Sequence, residues 1–363
     1  MNEKWILGLD IGGANTKAAI VIFNSEKILE SYSYIEHFPF WEKTLDEIPQ
    51  MLKRIINKLI IKIELKLEAI DSIAITITAE LSDAFQTKKE GILTILEAFQ
   101  RVFDKRKLFF ITNRGDFIDF ETARRNYRAI AGANWVSTAL FLGNYIERCI
   151  LIDAGSTTID IIPILNSKPI TKGKDDISRL IQHELVYTGG LRATIPSITH
   201  FVPYKETLVR IPFEKFALIS DVHLILGNIS EDEYINETAD KRSKSMNDCY
   251  ARLARIICMD LETISKEELD KIAKFIYSKQ LETVKTEIKE FLNQLIKKNP
   301  DFSNDPLFII TGLAADFLIR KALKSLGYNN FKTYEQVTHI SDKISSSALA
   351  VAGAFYFQNQ GSI

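Results

Sequence analysis

Two stretches of this chain carry an aspartate, a glycine two residues later and a small polar turn, each set between apolar runs. The first is Asp10-Ile11-Gly12-Gly13-Ala14-Asn15-Thr16-Lys17, between Ile6-Leu7-Gly8-Leu9 and Ala18-Ala19-Ile20. The second is Asp153-Ala154-Gly155-Ser156-Thr157-Thr158, between Ile150-Leu151-Ile152 and Ile159-Asp160-Ile161-Ile162. This pattern predicts a hairpin in which Gly12-Gly13 supply positive φ and let backbone N–H groups approach an anion. Asn15, Thr16 and Lys17 would complete one phosphate-binding set, and Gly155, Ser156, Thr157 and Thr158 a second. A carboxylate repels a neighbouring phosphate unless a divalent cation lies between them, so Asp10 beside such a turn calls for a divalent cation. One such hairpin is equally an ordinary Asp-flanked turn; the second copy points to a duplicated domain with a shared cleft.

The elements that must position these turns follow from periodicity. Lys27 to Tyr34 reads as a third strand, and Leu45, Ile48, Leu52, Ile55, Ile56, Leu59, Ile60 and Ile63 recur at helical spacing across Thr44 to Leu65. Ala69 to Thr78 alternates as a strand, followed at its C-terminal end by Glu80, Ser82 and Asp83, where ligands sit in open α/β sheets. A helix over Gly91–Phe103, a strand over Leu108–Thr112 and a small-residue helix over Ala129–Leu142 complete a first domain, residues 1–145. Residues 146–363 form the second, with strands at Phe216–Ser220 and Leu307–Thr311, a charged helical insertion at about 229–299, and an apolar terminal helix over Ser345–Phe357 that packs back on the first domain. The expected class is α/β, two ribonuclease-H-like domains with a central cleft.

Composition bounds the partners. Hydrophobic residues are 46%, charged residues 26% and the formal net charge −1, with no basic block to neutralise nucleic-acid phosphates. The longest apolar stretches fall short of a membrane span, and Asp10 interrupts any signal-peptide core, so the expected location is the cytoplasm, with small molecules as partners and a homo-oligomer left open. Cys149, Cys249 and Cys258 lack metal spacing and read as buried free thiols. No His or Cys spacing suggests zinc.

Taken together, the two Asp hairpins, the Thr311-Gly312 turn and the terminal helix resemble the acetate kinase, sugar kinase, Hsp70 and actin superfamily. Thr78-Ala79-Glu80-Leu81-Ser82-Asp83-Ala84-Phe85, Ala133-Asn134-Trp135, Gly155 to Pro163, Glu184-Leu185-Val186-Tyr187-Thr188-Gly189 and Asp221-Val222-His223-Leu224-Ile225-Leu226-Gly227 narrow the resemblance to hydantoinase/oxoprolinase-related proteins linked to tetrahydromethanopterin C1 transfer. It implies a transferase of methanofuran biosynthesis that joins the phenol oxygen of γ-glutamyltyramine to an aminomethylfuran-methyl diphosphate and releases pyrophosphate. Rival implications are an ATP-dependent kinase or hydantoinase/oxoprolinase-type hydrolase, and a non-catalytic nucleotide-binding protein. The turn at Thr311–Asp316 separates them: Ala314 stands where the superfamily's adenosine turn often carries a second glycine. Lys241, in Thr238-Ala239-Asp240-Lys241-Arg242, stands where the family is expected to have glycine.

Under that resemblance the hairpins grip the leaving diphosphate, Asp10 and Asp153 hold Mg²⁺, and Asp10 serves catalysis. Glu80 is the expected base for the phenol, with Asp83 beside it; a helix N-cap is the ordinary alternative for Ser82 and Asp83. Asp221 and His223 are candidate catalytic residues, His223 for proton transfer or for binding the glutamyl carboxylate, a structural histidine being an equal alternative. Glu184, Tyr187 and Arg192 are candidates for recognising the second substrate.

Overall fold

The structure, a computed structural model, describes residues 3–24, 27–340 and 346–359. They group into two compact units: residues to Cys149, Ile162–Ser178 and Tyr334 onward in one, Ile150–Ile161 and Arg179–Thr333 in the other. The chain therefore passes between units more often than a single cut at 145 provides. Ser345, expected to open the terminal helix, lies outside the described residues.

The first unit is built on strands β1 (Lys4–Ile11), β2 (Asn15–Phe23), β3 (Ile28–His37), β4 (Ser72–Ile77), β5 (Leu108–Ile111) and β6 (Phe117–Asp119). Their order is β3-β2-β1-β4-β5-β6, with β1 antiparallel to β2 and parallel to β4. This is the ribonuclease-H-like order. Alternation along β1 explains its two faces. Leu7, Leu9 and Ile11 join a core with Ile48, Leu52 and Ile55 of the Glu47–Lys62 helix. Gly8 and Asp10, on the other face, meet the apolar helix Ser346–Gln358, where Ser347 bonds Asp10 and the Ala348 carbonyl lies over Gly8. The terminal helix is thus part of the first unit.

The second sheet runs β10-β8-β7-β13-β14, from β7 (Arg148–Ala154), β8 (Ile159–Leu165), β10 (Leu185–Val186), β13 (Phe308–Thr311) and β14 (Phe331–Thr333), while β9 (Lys168–Pro169) pairs antiparallel with the end of β8. β13 lies parallel to β7 with Thr311 opposite Asp153. The strand expected at Phe216–Ser220 is absent: Asp221 accepts a 2.9 Å bond from the Leu218 amide and starts a helix, Ile219–Ile225. The charged segment forms helices Met246–Arg255 and Lys266–Lys298. A small antiparallel pair that patterning did not predict, β11 (Phe201–Tyr204) and β12 (Thr207–Arg210), lies before them. Among the described residues no helix is long and apolar enough to cross a membrane.

Candidate functional site

The first hairpin turns through a 3.1 Å bond from the Gly12 amide to the Asn15 carbonyl. Neither Gly12 nor Gly13 adopts positive φ, which corrects the expected use of these glycines. Gly12 is needed for proximity: a Cβ there would stand 2.6 Å from the Asn15 oxygen, whereas one on Gly13 would make an ordinary 3.5 Å contact with Ser82. The carbonyls of Gly13 and Ala14 accept from the amides of Phe40 and Phe38, so the chain after β3 ties down the oxygen side of the turn. Asn15 turns its side chain to His37, 2.9 Å away.

Behind the turn, Asp10 lies across from Lys17 on β2 and Thr76 on β4. Ser347 donates to Asp10 Oδ2 at 2.6 Å, and Lys17 Nζ donates to Ser347 at 3.4 Å. Asp10 Oδ1, Thr16 Oγ1 and Thr76 Oγ1 are buried with no hydrogen-bond partner among the described residues. Unmatched buried oxygens of this kind cost free energy unless a ligand, ion or water meets them; Asp10 and Thr76 share one face of the sheet and are acceptors suited to a hydrated cation, whereas Thr16, opposite Ile11, is on the core face. Among the described residues no three His, Cys, Asp or Glu side chains gather as a metal cluster.

Glu80 sits on the turn that follows β4, between Thr78 and Ser82, which lie near the same hairpin. The Thr78 amide donates to Ile11, and Ser82 stands next to Gly13. Glu80 is only 2% exposed, its Oε2 has no partner among the described residues, and burial pushes its carboxyl up to about 7, opposed by its own backbone amide and Lys88 and reinforced by Asp176. The position of a Cβ on Gly132 would be 3.8 Å from Glu80 Oε1 and 3.5 Å from Asp176 Oδ1. Two carboxyl groups therefore flank one glycine. Asp176, 96 positions along the chain, carried no sequence signal. Asp83 is exposed, and the following helix is capped by Thr87, which accepts from the Glu90 amide, so neither Ser82 nor Asp83 is its cap.

The second hairpin repeats the turn bond, Gly155 amide to Thr158 carbonyl, at 2.9 Å. Here the oxygen side is closed by a remote segment. The amide of Gly189 donates to Thr157, that of Gly190 to Gly155, and those of Leu191 and Arg192 to Ser156, all at 2.9–3.1 Å. A Cβ on Gly189 would lie 2.6 Å from three backbone atoms of the turn, so the two backbones touch. Arg192 and Tyr187 are exposed, and Glu184 is 3% exposed with its carbonyl bonded by Ile161 and the buried Arg179. Arg179 also pairs with Asp160 at 2.6 Å. Asp153 lies on β7 next to Gly312, and Ala314, fully buried, donates its amide to Ala154.

Asp221 and His223 take structural places. Asp221 is fully buried and accepts from Leu218 N, Tyr234 Oη and Arg252 Nε at 2.8–2.9 Å. Arg252 continues to Asp240, which also pairs with Arg255. Burial raises the Asp221 carboxyl and the Arg252 guanidinium opposes it; with three donors on one group, the ionised form is the one the geometry serves. His223 is fully buried, and burial pushes its pKa down to about 3. A ring that stays neutral there shuttles no proton at ordinary pH. Lys241 has φ 61°, the backbone a glycine takes without strain. Cys149 and Cys249 are buried, but Cys258 is exposed.

The hydantoinase/oxoprolinase profile matches residues 71–360. A protein of Methanocaldococcus jannaschii named (4-{4-[2-(gamma-L-glutamylamino)ethyl]phenoxymethyl}furan-2-yl)methanamine synthase is 36% identical over 314 residues, 86% of this chain and 87% of that one. A Methanococcus vannielii protein of the same name is 32% identical over 187 residues, 52% of this chain and 80% of that one. Among solved structures, a nucleotide-free acetone carboxylase superposes with TM-score 0.53 at 11% identity, over 97% of this chain and 70% of that one; this likeness concerns the fold.

Proposed function

The chain belongs to the hydantoinase/oxoprolinase family, and from that membership we propose that it joins the phenol oxygen of γ-glutamyltyramine to an aminomethylfuran-methyl diphosphate and releases pyrophosphate, a step of methanofuran biosynthesis. The observation that carries this is the 36% identity, over 86% of the chain, to a synthase whose named product contains that phenoxymethyl-furan ether.

In the proposed reaction the bond from the methylene carbon to the diphosphate oxygen breaks, and its electron pair leaves on the diphosphate. The furan ring spreads the positive charge on carbon, the phenol oxygen forms the new bond, and the phenol proton passes to Glu80. A carboxyl with a pKa of about 7 is matched to this task at neutral pH. The hairpin amides and the hydroxyls of Thr16, Ser156, Thr157 and Thr158, with Lys17, hold charge developing on the leaving group. Asp10, whose buried Oδ1 lacks a partner among the described residues, and Asp153 are the residues that would hold Mg²⁺. That ion, when bound, offsets the charge of the departing diphosphate. Arg192, Tyr187 and Glu184 are assigned to recognition of the second substrate, a guanidinium suiting its glutamyl carboxylate.

The test is pyrophosphate release by purified protein with both substrates and Mg²⁺ and without ATP. Release that requires both substrates supports the reading. Turnover only when ATP is supplied would replace it with a kinase or ATP-driven hydrolase.

A further inference from the structure

His223 is a buried titratable group for which the reaction has no use, yet it lies in a fully matched chain of hydrogen bonds. Asn228 Nδ2 donates to His223 Nδ1 at 3.0 Å, and His223 Nε2 meets Gln280 Oε1 at 3.0 Å. Because Nδ1 accepts, Nε2 carries the hydrogen and donates. Gln280 Nε2 then donates to Thr188 Oγ1 at 3.1 Å and to the Gly189 carbonyl at 3.0 Å. His223 and Gln280 are both 0% exposed and Thr188 is 8% exposed. At Gly189 the chain reaches the segment whose amides close the oxygen side of the second hairpin.

We propose that Gln280, oriented by His223 and Asn228, is the positioning residue of the second hairpin. It fixes the Gly189–Arg192 backbone against the carbonyls of Gly155, Ser156 and Thr157, and so fixes the direction in which the opposite side of that turn offers its amides to a diphosphate. The proposal rests on the reading of that hairpin as a diphosphate-binding turn. The physical reason is that peptide planes are rigid: a carbonyl pinned on one side aims the following N–H to the other. An amide side chain suits the linking position because it accepts from the histidine and donates two hydrogens to the segment, leaving no buried polar atom unmatched. Asp221, whose carboxylate holds the start of the helix bearing His223, supports the far end of the chain.

The test titrates inorganic pyrophosphate with Mg²⁺ onto the full chain and three variants. Gln280→Met keeps length but removes the acceptor and both donors. Val284→Ala, at a position 1% exposed one turn further along the same helix, loosens packing without touching the chain of bonds. Asn228→Ala removes only the outermost bond. Gln280→Met is expected to bind pyrophosphate at least tenfold more weakly and to exchange the amide hydrogens of residues 189–192 at least tenfold faster; Val284→Ala is expected to melt lower but keep the wild-type affinity. Asn228→Ala, expected to weaken binding two- to fivefold, keeps the test open if Gln280→Met does not fold. Wild-type affinity and exchange in the folded Gln280 or Asn228 variant would overturn the positioning role while leaving the hairpin's diphosphate role in place. Failure of the wild-type protein itself to bind pyrophosphate would remove the hairpin reading, and the positioning role with it.

Discussion

The two hairpins share a turn bond but differ in what holds them and what they offer. In the first, Asp10 is linked through Ser347 to Lys17, and Thr78 and Ser82, two residues either side of buried Glu80, lie near the turn. In the second, the turn offers hydroxyls and amides, and it is held by backbone from the remote Gly189–Arg192 segment. The same local pattern thus carries an aspartate in both hairpins, but the first adds Ser347 and Lys17 around it while the second adds a run of hydroxyls and a backbone clasp. Substitutions beside the first are expected to lower rate; substitutions around the second are expected to weaken binding of the diphosphate.

The largest expected effect is at Glu80. Glu80→Gln removes the proposed base, and kcat should fall about 10²–10⁴-fold, whereas the substrate KM changes little. The wild-type kcat/KM should rise with pH and level off above about 7. The stability consequence has the opposite sense. Burial makes the folded chain hold this proton more tightly than the unfolded chain, so Glu80's contribution to stability falls as pH rises from about 4.5 to about 7 and stays low above. Glu80→Gln should therefore melt higher than wild type at pH 8, by a margin that shrinks at pH 5; equal margins at both would deny that the carboxyl is neutral in the acidic range.

Next comes Asp10→Asn, which should cut pyrophosphate release by well over tenfold, or more than about 1.4 kcal/mol in barrier, and weaken the dependence on Mg²⁺. Release rates across a Mg²⁺ titration check both. The glycines then sharpen the contrast directly. Gly12→Ala and Gly189→Ala would each place a Cβ 2.6 Å from backbone atoms, while Gly13→Ala and Gly155→Ala would meet contacts of 3.5 and 3.7 Å. The first two are expected to cost about 1–3 kcal/mol by overpacking, measured by denaturant unfolding, and the second two less. The aspartate-plus-two glycine, alike in sequence, is thus expected to tolerate a methyl in one hairpin and reject it in the other. The smallest effect is Lys241→Gly, which relieves left-handed backbone and should raise stability by about 1 kcal/mol or less.

Much of this was legible from residue order. Both hairpins announce themselves because a short polar turn between apolar runs has few other folds, and the alternation of β1 separates Leu7, Leu9 and Ile11 from Gly8 and Asp10. Glu80 was legible as a polar residue at a strand end. What was not legible depends on distance along the chain. Asp176 meets the surroundings of Glu80 only after folding, and the His223–Gln280 bond spans 57 positions. The Glu184–Gly189 motif drew attention to its side chains, whereas its closest dealings with the second hairpin are through the backbone of Gly189. Asp221 was a candidate because it follows the expected strand at Phe216–Ser220 and precedes Gly227; its donors, Tyr234 and Arg252, lie in a segment whose helical packing no local pattern encodes.

The central claim is that carbon, and not phosphorus, is attacked while the hairpins hold the leaving diphosphate. Its most direct measurement uses γ-glutamyltyramine labelled with ¹⁸O at the phenol, with mass spectrometry of both products. The label is predicted to appear entirely in the aryl ether, with unlabelled pyrophosphate. Label in a phosphate product would show that the phenol oxygen attacks phosphorus, as in a kinase, and would contradict the account.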